Sequence, residues 1–202
     1  MAVAAGGCGG DASAPPAADV PALAPEPAAA GTSEVTGRLE RRPGAPTAVV
    51  TLDPHAPLDV PLPAEPAEMD QYGRMFIPRL VVVREGQTVR FINSENDLHN
   101  VHVVDEAGET LFNVGMPIIG GTYDHVFERA GDYRVGCNLH QQMAATVRVT
   151  ASPFIAVADR EGDFALSGVP YGVYDVELRR GAEQVSRVVE IDSPHTDLGD
   201  LR

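Results

Sequence analysis

The chain has 202 residues, enough for one or two domains, and its hydrophobic content of 44% is sufficient for a buried core. Its formal net charge of −14 at pH 7 argues against binding of nucleic acid or anionic membranes, which attract clustered basic side chains. The same charge favours partners with a basic docking face, because opposite potentials steer their encounter. No run of about 18 apolar residues occurs, so the sequence predicts no membrane-spanning helix.

Residues 1–33 are dominated by Ala, Pro and Gly and predict a disordered tether, because such a segment buries too little apolar surface to order. Within it, Ala5-Gly6-Gly7-Cys8 resembles the end of a bacterial lipoprotein signal, in which the cysteine becomes acylated. Two interpretations of Cys8 stay open: a lipid anchor, or a chance cysteine in the tail. An anchored tether would hold a soluble domain off a membrane.

From Glu34 onward, short segments rich in strand-forming residues alternate with turn signals such as Glu85-Gly86 and Ala130-Gly131. No amphipathic helix pattern of ten or more residues occurs. This organisation predicts an all-β chain built as a β-sandwich or barrel. The predicted strands are residues 47–52, 79–84, 88–93, 99–104, 122–128, 132–137, 145–150, 154–158, 173–179 and 184–190.

Side-chain alternation along two predicted strands places a histidine and a cysteine on buried faces. In segment 132–137, Cys137 shares one face with Tyr133 and Val135. In segment 99–104, His99 shares its face with apolar residues, whereas His102 points the other way. We therefore expect His99 and Cys137 to meet at one end of a sandwich and His102 to be an exposed strand residue.

The motif Cys137-Asn138-Leu139-His140-Gln141-Gln142-Met143 offers a thiolate, an imidazole and a thioether in one short loop. His99 can supply a second imidazole. Two imidazoles and one thiolate with a weak axial thioether form a copper electron-transfer site. Zinc is the less suitable metal, because its sites use Cys, His or carboxylate rather than Met. Met143 as ordinary core remains an alternative, since Met often fills gaps in apolar cores.

Two segments together resemble the cupredoxins of the amicyanin and plastocyanin type. Segment 91–103, Phe-Ile-Asn-Ser-Glu-Asn-Asp-Leu-His-Asn-Val-His-Val, resembles their first-ligand segment. Segment 131–140, Gly-Asp-Tyr-Arg-Val-Gly-Cys-Asn-Leu-His, resembles their Cys-bearing hairpin. The resemblance covers roughly residues 67–151 and implies a cupredoxin Greek-key β-sandwich with one type 1 copper ion. The implied ligands are His99, Cys137 and His140 in the plane and Met143 on the axis, with Asn100 bracing the ligand loops.

Segment 159–174 resembles the carboxypeptidase regulatory-like β-module, which follows cupredoxin domains in bacterial proteins of methylamine-utilisation or plastocyanin-like type. The early strands near residues 34–39 and 47–52 resemble the first strands of that module. We therefore expect a cupredoxin domain at residues 34–151, with its core at 67–151, and a smaller module at 152–202. The strands in residues 34–53 would complete that module if Val49 contacts segment 173–178.

The remaining histidines and one further methionine are given structural interpretations. His125 is expected to be structural, and His55 and His195 are expected to be surface residues in loops. Met116 could either flank the metal or contribute to ordinary packing.

The resemblance implies a type 1 copper protein that carries single electrons between extracytoplasmic bacterial redox partners, as a periplasmic protein or an anchored lipoprotein. A c-type cytochrome or a dehydrogenase is the expected partner, and the chain is expected to be a monomer. The alternative is a copper delivery or resistance module that does not shuttle electrons. An enzyme is not expected, because only six His occur and no His-x-His pair is present.

Overall fold

The computed structural model describes residues 1–2, 31–40 and 42–201, so Cys8 and nearly all of the predicted tether lie outside the described residues. The described part of the chain is all-β and contains no helix, as predicted; it therefore includes no helix able to span a membrane. Its strands are β1 (Thr32–Leu39), β2 (Val49–Pro54), β3 (Ala67–Tyr72), β4 (Met75–Ile77), β5 (Leu80–Arg84), β6 (Gln87–Asn93), β7 (His99–Val104), β8 (Thr110–Met116), β9 (Thr122–Phe127), β10 (Gly131–Gly136), β11 (Ala144–Thr150), β12 (Phe154–Val157), β13 (Asp163–Pro170), β14 (Gly172–Arg180), β15 (Glu183–Ile191) and β16 (His195–Leu201).

The strands form four sheets around two separate hydrophobic cores. One core lies between the sheets β5-β11-β10-β7-β8 and β4-β3-β6-β9, and the other between β13-β1-β16 and β12-β2-β14-β15. Alternation along each strand explains this layering, because every second side chain faces inward. In β6, for example, Val89, Phe91 and Asn93 are buried and the residues between them are not.

The second core is built from both ends of the described chain. Strand β1 pairs with β13 and β16, and β2 pairs with β12 and β14. Val49 lies opposite Arg179 and Val50 opposite Leu178 across the β2–β14 pair. The Ser152 hydroxyl donates a hydrogen bond to the carbonyl of Leu52, which closes the point where the chain returns from the first core. Strands β3 to β11 thus form one continuous segment between β2 and β12.

Five strands were not predicted: β3, β4, β8, β13 and β16. His195 consequently begins a strand, although the sequence suggested a loop; its side chain is exposed, as expected. Strand β16 contains Asp197, Gly199 and Asp200, which are poor strand formers, and it exists because β1 supplies a parallel partner. Long-range pairing of this kind leaves no local signal in the sequence.

Candidate metal centre

Two paired strands bring the predicted metal ligands to one end of the first core. His99 is the first residue of β7, and Cys137 directly follows β10, which pairs antiparallel with β7. The loop after β10 is closed by two backbone hydrogen bonds: Met143 N donates to the carbonyl of His140 at 2.9 Å, and Cys137 N donates to that of Met143 at 3.3 Å. This tight turn directs His140 back toward Cys137 and His99.

Three donor atoms converge there. The Cys137 Sγ lies 3.8 Å from His99 Nδ1 and 3.7 Å from His140 Nδ1, and the two Nδ1 atoms are 3.1 Å apart. A point equidistant from these three atoms would be about 2.1 Å from each, close to the distances of about 2.0–2.1 Å and about 2.3 Å that zinc makes with imidazole nitrogen and thiolate sulfur. The donor set and its spacing therefore fit one transition-metal ion.

The three predicted ligands differ in how deeply they are buried. His99 is fully buried and Cys137 is 5% exposed, whereas the His140 side chain is 16% exposed. The cluster thus lies under the surface and reaches solvent at His140. Met143 is buried in the same core as Cys137, a position that either of its predicted roles requires.

A carboxylate fixes the orientation of the buried imidazole. Glu95 Oε1 lies 2.7 Å from His99 Nε2, which leaves Nδ1 facing the cluster. The Glu95 carboxylate also accepts hydrogen bonds from the backbone N–H groups of Gly73 and Arg74, each at 3.0 Å. The Arg74 N–H is the main cause that lowers the pKa of Glu95, so this group stays ionised beside His99.

A second carboxylate stands behind the other imidazole. Asp97 Oδ2 is 3.8 Å from His140 Nε2 and 3.0 Å from both Nε and an Nη atom of Arg74. The hydrogen bond from Arg74 is the largest cause that lowers the pKa of Asp97. Each predicted imidazole ligand therefore has an ionised carboxylate on its far side.

Amide side chains tie the ligand-bearing elements together. Asn100 accepts a hydrogen bond from Asn138 N at 2.7 Å and donates one to Asn113 Oδ1 at 2.7 Å, so it links β7, β8 and the ligand loop. His102 lies on the opposite face from His99, as its parity predicted. Its ring nitrogens are each 3.0 Å from Asn138 Oδ1 and Thr110 Oγ1.

Two buried amides near the site were not identified from the sequence. Asn93 donates hydrogen bonds to the carbonyls of Met116 and Asp97 at 2.8 and 3.1 Å, and Gln71 donates to the carbonyl of Asn100 at 3.1 Å. Asn93 lies in segment 91–103, which resembles the first-ligand segment of cupredoxins, so the sequence could have identified it. Gln71 lies in a strand that the sequence did not predict.

Exposed apolar side chains flank two of the predicted ligands. Leu98 and Leu139, each adjacent to a predicted ligand, are 52% and 55% exposed, and Ile118 and Ile119 are exposed as well. Met116 pairs with His99 across β7 and β8 and is buried in the core, which favours the packing interpretation for this residue.

The other described histidines lie apart from the cluster. The ring of His125 contacts that of Phe112 at a centroid distance of 4.5 Å, and its burial lowers its pKa. His55 Nε2 lies 3.1 Å from Asp175 Oδ2. Neither joins the group formed by His99, Cys137 and His140.

Comparisons with known proteins point to one segment of the chain. Residues 66–150 match the model of a family described as copper binding proteins, plastocyanin/azurin family. A purple cupredoxin from Nitrosopumilus maritimus is 26% identical over 42% of this chain and 99% of its own, with a TM-score of 0.38. A reduced amicyanin variant is 26% identical over 50% of this chain and 98% of its own, with a TM-score of 0.40. A Cu-containing nitrite reductase from Thermus scotoductus is 25% identical over 48% of this chain and 25% of its own, with a TM-score of 0.40. No curated protein matches the chain.

Proposed function

We propose that this chain holds one copper ion in a type 1 site and carries single electrons, and the match of residues 66–150 to the model of the copper-binding plastocyanin/azurin family supports this proposal. The observation that carries the proposal is the convergence of Cys137 Sγ with the Nδ1 atoms of His99 and His140 within 3.8 Å of one another. The proposed ligands are His99, Cys137, His140 and, on the axis, Met143.

The chemistry of this donor set suits copper in both of its common oxidation states. Thiolate and thioether are soft donors that favour Cu(I), and imidazoles also accept Cu(II), so the bound ion supplies a one-electron couple. On binding, the Cys137 Sγ releases its proton, because only the thiolate is a ligand. Glu95 retains the proton of His99 on Nε2, so that Nδ1 presents its lone pair to the metal.

The protein surroundings suit transfer without rearrangement. His99 begins β7 and Cys137 directly follows β10, which pairs with β7; both residues are buried, so the sheet fixes the positions of their donor atoms. His140 provides the exposed edge through which an electron enters or leaves. The apolar side chains of Leu98 and Leu139 beside it would exclude water during a brief contact with a partner.

We propose that the partner is an extracytoplasmic redox protein, such as a c-type cytochrome or a dehydrogenase, with a basic docking face that complements the charge of −14. We further propose that the chain is a monomer and not an enzyme. A lipid anchor at Cys8 remains part of the proposal.

The test is a visible and EPR spectrum of the protein loaded with Cu(II), compared with Cys137→Ser and with Cys8→Ser as the matched control. We expect an intense blue band and narrow copper hyperfine splitting in the wild type and in Cys8→Ser, and loss of both in Cys137→Ser. A pale spectrum that is unchanged by Cys137→Ser would overturn the proposed site.

A second measurement separates an electron carrier from a copper delivery module. A carrier shows a reversible Cu(II)/Cu(I) couple in voltammetry and fast electron exchange with cytochrome c, without loss of the metal. Copper that leaves the protein upon reduction would favour the delivery function instead. Met143→Leu, which keeps the volume of the side chain, tests the axial position: a raised potential and an altered EPR spectrum identify a ligand, and unchanged spectra identify plain core.

A further inference from the structure

The turn between β3 and β4 has an unusual residue for its backbone conformation. Tyr72 pairs with Met75, and the two residues between them, Gly73 and Arg74, have φ values of 62° and 55°. A two-residue hairpin turn with both φ values positive favours Asn and Gly at these positions. Arg74 is the only residue other than glycine with a positive φ among the described residues. An unfavourable backbone conformation at one side chain invites a functional explanation.

Arg74 uses both its backbone and its side chain to hold acidic groups. Its N–H donates to Glu95 Oε1 at 3.0 Å, beside the N–H of Gly73 on Oε2. Its guanidinium donates to Asp97 Oδ2 at 3.0 Å, and Asp97 in turn accepts from Leu98 N with its other oxygen at 3.0 Å. The turn therefore clamps the segment that leads into the first predicted ligand.

The two carboxylates are the groups behind the two imidazoles. Glu95 lies 2.7 Å from His99 Nε2, and Asp97 lies 3.8 Å from His140 Nε2. His99 and His140 are 41 positions apart in the chain. Arg74 is nevertheless connected to each of them through one intervening carboxylate. Because Arg74 contacts both carboxylates, one through its N–H and one through its guanidinium, it differs from an arginine in an ordinary surface ion pair.

We infer that Arg74 is a positioning residue that sets the orientation of both imidazole ligands, and the reduction potential of the site, through Glu95 and Asp97. The effect on the reduction potential rests on the proposed function, whereas the orientation of the two imidazoles rests on the contacts described above. Its backbone N–H, the backbone arm, acts through Glu95 on the buried imidazole of His99. Its guanidinium, the guanidinium arm, acts through Asp97 on the partly exposed imidazole of His140. Arg74 itself touches neither ligand.

The sign of the effect on the potential follows from charge. A guanidinium near the metal disfavours Cu(II) more than Cu(I), because the oxidised ion carries one more positive charge. Removal of the guanidinium also leaves Asp97 without its cation, which adds to the same effect. The potential should therefore fall when Arg74 loses its side chain.

The variant that isolates the guanidinium arm is Arg74→Gly. Glycine adopts the positive φ of this turn without strain and keeps the N–H that Glu95 accepts. Arg74→Lys is the conservative rescue, since it restores the charge. Arg90→Ala is the matched control: Arg90 forms an Arg–Asp fork with Asp124 at 2.8 and 2.7 Å on a surface of the same sandwich, and its loss changes the net charge equally.

We expect Arg74→Gly to lower the ratio of Cu(I) to Cu(II) affinity by about tenfold, which corresponds to about 59 mV for a one-electron couple. Arg74→Lys should recover most of this shift, and Arg90→Ala should move the potential far less. Equal shifts in Arg74→Gly and Arg90→Ala would mean that only net charge acts, and would overturn the inference. The blue band of the wild type, measured first, tests the proposed function separately.

The metal-free protein provides a readout that does not depend on copper. Side-chain ¹⁵N NMR of the histidine rings reports the protonation and environment of each ring nitrogen. In Arg74→Gly, we expect the His140 ring signals to change while those of His99 stay, because only the Asp97 contact is lost. Unchanged His140 signals would overturn the inference even if copper binding itself is confirmed.

Discussion

The ion pair between Asp132 and Arg148 should contribute strongly to the stability of the first core. The two residues lie directly opposite each other in β10 and β11, and the guanidinium donates from Nε to Oδ1 at 2.7 Å and from Nη2 to Oδ2 at 2.8 Å. The Arg148 side chain is only 10% exposed and that of Asp132 is 28% exposed. Arg148 Nη1 is buried and has no hydrogen-bond partner among the described residues. Asp132 is thus the main group that neutralises the charge of Arg148, with smaller contributions from Glu177 and Glu106.

The substitution Asp132→Asn keeps the shape of the side chain and removes its charge. Loss of one partner of a buried ion pair costs about 3–5 kcal/mol, because the other charge remains buried without compensation. Asp132 is partly solvated, so water replaces some of the lost interaction and the cost lies at or below the lower end of this range. We expect the free energy of unfolding to fall by about 2–3 kcal/mol.

The measurement is urea unfolding followed by far-UV circular dichroism and by tyrosine fluorescence, which is suitable because the chain has no Trp. Asp124→Asn is the control, since it removes the same charge from an exposed fork with Arg90 and should have a much smaller effect. In the double variant Asp132→Asn/Arg148→Met, most of the lost stability should return, because no buried charge is left unpaired. Equal effects of Asp132→Asn and Asp124→Asn would refute the argument from burial.

Three further outcomes are expected. The pKa of Asp132 is lowered in the folded state by the hydrogen bond from Arg148, so the stability it adds is fully present above about pH 4 and is lost as the pH falls through the folded pKa. The difference between wild type and Asp132→Asn in unfolding free energy, measured by urea titration, should shrink over that range; a constant difference would contradict it. Glu95→Gln removes a negative charge beside the first predicted imidazole ligand and should raise the reduction potential in voltammetry, whereas a lowered potential would contradict its assigned role. Gly162→Ala should destabilise the second core by more than about 1 kcal/mol without changing the copper spectrum, because its φ is +91° and a Cβ would clash with the carbonyl oxygen of Leu39.

The sequence predicted the parts of the fold that rest on local patterns. Strand β7 was predicted with its observed bounds, since Val101 and Val103 alternate with less buried residues and Ala107-Gly108 supplies the following turn. Strand β3 escaped prediction because a Pro-rich stretch precedes it and polar residues interrupt its apolar pattern, and β4 escaped because it is only three residues long. Their pairing depends on β6, which β3 joins in parallel.

The convergence of His99, Cys137 and His140 was likewise predictable, because strand parity and loop length govern it. The role of Arg74 was not. Its contacts with Glu95 and Asp97 arise from a backbone N–H and from the placement of a hairpin, and the dipeptide Gly73-Arg74 carries no signal for either. Groups that act through tertiary contacts become visible only when the fold is known.

The closure of the second core by Ser152 and Leu52 has a consequence for biosynthesis. These residues are 100 positions apart, so β2 emerges from the ribosome long before β12 and β14 exist to pair with it. All strands around the candidate metal centre, by contrast, are complete once Thr150 has been made. The half that carries the candidate metal centre can thus fold during translation, while β1 and β2 wait with unpaired edges that are prone to associate with other chains. A ribosome that stalled once Thr150 had left its exit tunnel would present a complete candidate metal centre on a chain still liable to aggregate.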